Sequence, residues 1–385
     1  MSLVLDIHAL QSLPPSNINR DDTGAPKSAV FGGVPRHRVS SQSWKRAIRK
    51  DFEDTLGAGA IGYRSKRVAD LVTDRVLALA EEAGEDWDRP RAEQASRNLF
   101  AGAGIKLTDP KAPAEAGQDG AEEELQVRGP ETGYLLFLSP RQIDSAARHL
   151  LETDGAKPTK KVAASLLDDG HSIDIAMFGR MVADASDFNV DAAVQVAHAI
   201  GVHESEPEFD YYTAVDDIVE DREETGAGMI GTMQMMSSTL YRFATVDLTS
   251  LVRNLGDEQA AVEATLAFVR SFIASLPTGK QNSYAHNTVP ELVYIAVRDT
   301  RSLSLVNAFE DPVRTGDGAS RRQEAARRLA EEAEQLESQY GFVPRAGFVV
   351  GLGELPVPFA PIAQRVTLPE LDQQVRAALD AEATA

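Results

Sequence analysis

The chain has 385 residues, 43% of them hydrophobic, with 39 Lys and Arg against 59 Asp and Glu, a formal net charge of −20 and no cysteine. That composition is globular, and it excludes disulfides and thiolate metal centres. No run of about 18 apolar residues is present, so no membrane span is expected. The opening MSLVLDIHALQ has Asp6 and His8 inside its apolar part and no basic leader, which is not a secretory pattern; a reducing, cytoplasmic setting is expected.

Leu3, Leu5 and Ile7 alternate with Val4, Asp6 and His8, which predicts a first strand. Pro14 to about Val39, with Pro14-Pro15 and Gly32-Gly33, reads as a polar loop. A helix is predicted from Ser40 or Ser41, with Trp44, Ile48, Phe52 and Leu56 at helical spacing and Gly57 as its stop. Residues 58–100 read as mostly helical, and the acidic, Pro- and Gly-rich stretch 109–131 as a mobile insertion. YLLFL (134–138) predicts a strand, followed by a helix capped by Ser139 with Pro140 in its first turn. A strand or helix pair is expected around 171–181, and residues 191–202 read as helical. His203 to about Gly228 is polar and acidic around Tyr211-Tyr212. Strands are predicted at 238–248 and 291–299, and helices at 257–275 and 319–340. Separated βαβ halves with inserted material suggest an α+β sandwich of the ferredoxin-like type.

Charge is distributed unevenly. Between Asn19 and Lys50 the basic residues are Arg20, Lys27, Arg36, Arg38, Lys45, Arg46, Arg49 and Lys50, against only Asp21 and Asp22. That segment is +6, which leaves −26 on the rest of a chain of −20. In RVSSQSWKRAIRK (38–50) the bases lie toward the helix start, and the acids Asp51, Glu53 and Asp54 follow. Both oppose the helix dipole, at about 0.3–1 kcal/mol per group. An anion at that end would reverse the sign. Free N–H groups, the Ser41 and Ser43 hydroxyls, Gln42 and the bases could converge on a phosphate. The alternative is an ordinary amphipathic helix with a solvated basic face. Tyr211-Tyr212 likewise has two readings: core plug, or a surface that stacks on nucleobases.

Other motifs carry less. Gly226 to Gly231 matches G-x-G-x-x-G, but charged residues precede it where a dinucleotide site needs an apolar strand. PTGK (277–280) lacks the earlier glycine of a P-loop, and Gln281 replaces its Ser or Thr. His198 and His203 would lie on different faces of a helix, so no metal site is expected, and no cofactor is indicated. Adjacent carboxylates at Asp21-Asp22 and Asp216-Asp217 diverge. Asp21 or Asp22 acting with Mg²⁺ on a phosphodiester is kept as the enzymatic alternative.

Several blocks together, NRDDTGAPKSAVFGGVPRHRVSSQSWKRAIRK (19–50), DIAMFGRMVAD (174–184), AVQVAHAI (193–200), DYYTAVDD (210–217), STLYRFATVDL (238–248) and TGKQNSYA (278–285), resemble the CasC-type backbone subunit of the type I-E CRISPR Cascade complex. The resemblance implies an RRM-like (ferredoxin-like) palm of residues 1–57, 191–203 and 229–385. It also implies a large, mostly helical fingers insertion over 58–190 and a protruding thumb loop over 204–228. It implies a non-enzymatic ribonucleoprotein subunit of antiviral defence. Such a subunit binds CRISPR RNA, polymerises head to tail with copies of itself beside other Cascade subunits, and presents the spacer to a target DNA strand. By the same likeness Arg20, Lys27, Ser40, Gln42, Lys45, Arg46 and Arg49 contact the guide backbone. Met181, Tyr211 and Tyr212 wedge against bases, and Lys280 also binds RNA. Related backbones that cut RNA use an aspartate in a comparable loop, which keeps Asp21 or Asp22 as the alternative.

Overall fold

A computed structural model describes residues 3–109, 129–182, 185–214, 229–316 and 320–380. The chain forms two compact units. One comprises Met1–Asp51, Val194–Thr249 and Ala261–Ala385; the other comprises Phe52–Ala193 and Ser250–Ala260. Most of the acidic stretch 109–131, residues 215–228 with the Asp216-Asp217 pair, and Gly226 and Gly228 lie outside the described residues.

Strand β1 spans Val4–Ser16 and is buried on both faces over its first half. Polar residues inside it therefore need partners. Asp6 finds Arg298 at 3.2 Å, the Ser302 hydroxyl and the Leu303 N–H. The region expected to be an open loop instead holds a hairpin, β2 (Ser28–Phe31) and β3 (Val34–Val39). Its two-residue turn is Gly32-Gly33, with φ of 59° and 79°, a left-handed pair that favours glycine. Arg36 of β3 is fully buried and donates to the carbonyls of Gly201, Phe309 and Glu310, each at 3.0 Å. Helix α1 spans Ser41–Leu56, buries Trp44, Ile48 and Phe52, and stops at Gly57, as its spacing predicts.

The second unit carries two short ribbons. In one, β4 (Tyr63–Ser65) pairs with β7 (Leu136–Leu138); in the other, β5 (Leu107–Thr108) pairs with β6 (Glu131–Thr132). Helices α2 (Val68–Ala83), α3 (Arg89–Ala103), α4 (Pro140–Glu152) and α5 (Lys160–Asp168) pack around Val72, Val76, Leu99, Phe100, Ala147 and Leu150. Ser139 and Gln142 form a reciprocal capping box at the start of α4, with Pro140 in its first turn. A short helix α6 (Ile173–Phe178) leads to Arg180, a buried side chain bonded to the carbonyls of Phe188 and Leu167 and to Asp168 at 2.6 Å.

The predicted helix over 191–202 is two strands, β8 (Val194–Val196) and β9 (Ala199–Gly201). Val194 and Val196 alternate with exposed Gln195 and pair with Val246 and Ala244. The β-branched residues and an available partner strand override the helical propensity of the alanines. Next come β10 (Glu208–Ala214) and the long β11 (Met229–Asp247), then α7 (Leu248–Leu255), α8 (Glu258–Ala274) and α9 (Gln281–Tyr284). Strand β12 (Leu292–Arg298), helix α10 (Arg321–Tyr340), strands β13 (Ala346–Gly351) and β14 (Gln364–Arg365), and helix α11 (Leu368–Asp380) complete the first unit. Its ten-stranded sheet runs β14-β13-β12-β1-β11-β9-β3-β2, with β8 and β10 also on β11. Every pairing is antiparallel except β13 with β14. The protein is α+β.

Arg242 of β11 is fully buried between two rings, its guanidinium carbon 3.7 Å from the Trp44 centroid and 4.2 Å from that of Phe272. It donates to Gln11 Oε1 at 2.6 Å and to the Phe272 carbonyl. Burial drives its pKa down to about 9, which leaves it charged at neutral pH. Arg242→Ala should lower unfolding stability by about 3 kcal/mol or more in chemical denaturation, by removing two ring contacts and orphaning two buried acceptors. Arg242→Lys should not restore it, because an ammonium lacks the planar fork.

Two histidines couple the fold to pH. His8 Nδ1 lies 2.9 Å from the Tyr241 hydroxyl, and burial pulls its pKa down to about 3. His37 Nδ1 lies 2.7 Å from the Ser238 hydroxyl, and burial takes its pKa to about 4. The unfolded chain binds these protons near pH 6.5 and the folded chain does not, so stability is full above that value and is lost as pH falls toward 4. Melting at pH 5 should show a loss of about 2 kcal/mol per histidine relative to pH 7, and His8→Leu should remove part of that dependence.

Candidate nucleic-acid interface

The basic segment is built around the start of α1. Ser40 is buried, and its N–H donates to Asn19 Oδ1 at 2.8 Å. The Ser41 N–H donates to His198 Nδ1 at 3.1 Å. Ser43 and Trp44 N–H groups turn back to the Ser40 carbonyl. The sequence suggests an open helix end with several free donors; the structure caps most of that end from within the protein. The first turn carries no acidic residue and the last turn no basic one.

Around this end the bases gather. Asn19, next to Arg20, accepts the Lys27 N–H through its carbonyl, and the Lys27 carbonyl accepts the Arg38 N–H. Lys27 and Arg38 both act electrostatically on His198, which reinforces burial in lowering its pKa. On α1, Gln42 and Arg46 are exposed, while Lys45 and Arg49 are half-buried. Desolvation pulls the Lys45 ammonium below its ordinary pKa, a cost that an approaching anion would offset. Among the described residues Arg20, Lys27, Lys45, Arg46 and Lys50 have no carboxylate partner, in a chain where most helical arginines are ion-paired.

Lys280 is drawn to the same region. It has a left-handed backbone (φ 53°), and its Nζ lies 3.3 Å from Met233 Sδ of β11. The preceding Gly279 lies so close to residues 17–18 that a Cβ there would stand 2.2 Å from the Ile18 carbonyl oxygen. Asn17 bridges the Gly24 and Gln234 carbonyls, tying the Arg20 loop to β11.

The β10–β11 hairpin alters the reading of Tyr211-Tyr212. As neighbours on a strand they point to opposite faces. Tyr212 is opposite Gly231, where a Cβ would meet its hydroxyl oxygen at 2.4 Å and its ring carbon Cζ at 2.5 Å, so the side chain covers the glycine. Asp210, on the Tyr212 side, acts on the Tyr284 hydroxyl, whose pKa burial and that charge push up. Tyr211, 64% exposed, shares its face with Phe209, 69% exposed, which the sequence reading missed. Alternation over 208–212 was the available signal. Gly231 therefore serves a strand, and no helix follows as a dinucleotide site requires. Met181 belongs to the other unit; anchored between buried Arg180 and Val182, it is 79% exposed.

Asp21 Oδ1 is spent on its own turn, accepting from the Thr23 N–H, the Thr23 hydroxyl and the Ala25 N–H. These bonds, the Thr23 hydroxyl first, hold its pKa below the usual range. Among the described residues no cluster of three or more His, Asp or Glu could hold a metal ion, and no helix is long and apolar enough to cross a membrane.

An α+β protein with a basic face around the start of α1 and an exposed aromatic pair on a strand is the class these features define. The chain matches the family model described as CT1975-like protein over residues 5–374, and it belongs to that family. It is similar to a solved chain described as "CRISPR RNA-guided surveillance complex, pre-nicking", 35% identical over 98% of this chain and 100% of that one, with a TM-score of 0.78. A second, described as "CRISPR RNA-guided surveillance complex", is 30% identical over 97% of this chain and 99% of that one, with a TM-score of 0.71. Curated protein sequences gave no match.

Gly279→Ala should lower the melting temperature by the equivalent of about 1–3 kcal/mol, because its Cβ collides with backbone. Gly133→Ala, where the added carbon meets nothing within 4 Å, serves as the neutral control.

Proposed function

We propose that the chain is a guide-binding backbone subunit of a type I-E CRISPR surveillance complex. Copies polymerise head to tail along a CRISPR RNA, beside other Cascade subunits, and present its spacer to a target DNA strand. The protein acts as a cytoplasmic scaffold in antiviral defence rather than as a nuclease. The observation that carries this reading is the end-to-end likeness to a chain of an RNA-guided surveillance complex, 35% identical over 98% of the sequence. The basic face at the start of α1 supports a guide seat there. Backbone phosphates demand positive charge without sequence selectivity, and Arg20, Lys27, Gln42, Lys45, Arg46, Arg49 and Lys280 supply it with polar support.

The architecture is read in the same terms. The strand order β12-β1-β11-β9, with α1 reached from β1 through the β2–β3 hairpin and α8 preceding β12, supports the 4-1-3-2 arrangement of an RRM-like palm. The α2–α5 bundle serves as fingers, and the β10–β11 hairpin as the base of a thumb. Exposed Tyr211 and Met181 are the base wedges of this scheme, with Tyr212 as support.

The test is binding of the purified full chain to a synthetic CRISPR RNA across a salt series. The logarithmic slope should be about −0.7 per phosphate contacted, and Lys45→Ala with Arg49→Ala should flatten it by about 1.4. An unchanged slope overturns the phosphate assignment. Mg²⁺-dependent cleavage of labelled target RNA by the assembly, abolished by Asp21→Ala or Asp22→Ala, would replace the scaffold reading with a ribonuclease.

A further inference from the structure

His198 sits in the short link between β8 and β9, with Ala199 buried beside it and its own ring exposed. The Ser41 N–H donates to its Nδ1. A nitrogen that accepts a hydrogen bond carries no proton, so the neutral ring must hold its proton on Nε2. Among the described residues nothing accepts from that Nε2–H. The charged groups that bear on the ring are Lys27 and Arg38, both cationic. Both disfavour a proton on Nδ1, and both favour an anion in front of Nε2.

We propose that His198 is itself a guide ligand: a neutral imidazole, fixed in one tautomer by the end of α1, whose Nε2–H donates to a phosphate oxygen of the RNA backbone. This rests on the reading of the basic face as the guide seat. It also gives the caps a purpose. The helix end donates through an aromatic relay, so the ligand is met by a donor whose direction is set before binding. Lys27 and Arg38 supply the charge, and His198 supplies the geometry.

Isosteric substitutions separate the two ends of the ring. In His198→Asn the amide oxygen stands near the Nδ1 position and can keep the cap, but no donor reaches outward. In His198→Gln the amide nitrogen stands near the Nε2 position, and the cap is lost. With one synthetic CRISPR RNA at fixed salt, His198→Asn should leave the melting temperature of the RNA-free chain unchanged while weakening binding about tenfold or more, the worth of one hydrogen bond to a charged acceptor. His198→Gln should melt lower yet bind better than His198→Asn. Because the donor is neutral, the salt slope of His198→Asn should equal that of the unmodified chain.

Unchanged affinity in His198→Asn overturns the proposal. So does an affinity that rises between pH 7.5 and 6 in the unmodified chain but not in His198→Asn, which would make the ring a cationic contact. If Lys45→Ala with Arg49→Ala also leaves binding untouched, the guide seat itself is misplaced; if only the His198 variants are silent, the seat stands and the relay falls.

Discussion

Arg242 is the point on which the placement of the basic helix depends. Its guanidinium is clamped between Trp44 of α1 and Phe272 of α8 while it bonds to Gln11 of β1. One side chain on the longest strand thus touches both flanking helices and the central strand. A cation fits where a leucine would not, because two ring faces and two carbonyl-type oxygens converge there. The charge is far from water, yet its two flat faces meet π density and Nη1 and Nη2 each donate to an oxygen, with only Nε left without an acceptor. With Trp44 held this way, the first turns of α1 have one rotation about the helix axis, and Lys45, Arg46 and Arg49 have one side to occupy.

The excess of acid elsewhere complements this arrangement. Bases on the solvated helices are matched with carboxylates: Arg327 and Arg328 with Glu324, Arg75 with Asp144, Arg89 with Asp74. Such exposed pairs add little to stability, a median near 0–1 kcal/mol. Their effect is to cancel positive field over most of the surface. Among the described residues Arg20, Lys27, Lys45, Arg46 and Lys50 around the start of α1 have no such carboxylate, and local desolvation of Lys45 leaves a charge short of hydration. The field is confined to one face by where the acids are, as much as by where the bases are.

Local patterns were legible in the sequence, and long-range ones were not. Helix α1 was read correctly because Trp44, Ile48 and Phe52 follow one face and Gly57 ends it. Helix α4 was read because Ser139-Pro140 is a start signal in itself. Strands β8 and β9 were missed because three residues each give too short an alternation, and what holds them is β11, about forty to fifty residues further on. The β2–β3 hairpin was hidden because the strands around its Gly-Gly turn are short and Pro26 and Pro35 on either side equally suit a loop. The likeness of whole blocks, rather than any periodicity, placed Arg20, Lys27 and Lys280 in one set. The caps that Asn19 and His198 provide, and the stacking of Tyr212 on Gly231, depend on tertiary register, for which no local signal exists.

That last contact limits how the hairpin can vary. Tyr212 covers a residue that has no side chain, so the pairing of β10 with β11 locks where the two coincide. Losing or gaining one residue in β10 would turn Phe209 and Tyr211 to the face that Asp210 now occupies, and carboxylates would stand where the aromatics had been. Changes of two residues would preserve both faces. The length of β10 is thus subject to a parity rule, and related chains should differ there in even steps.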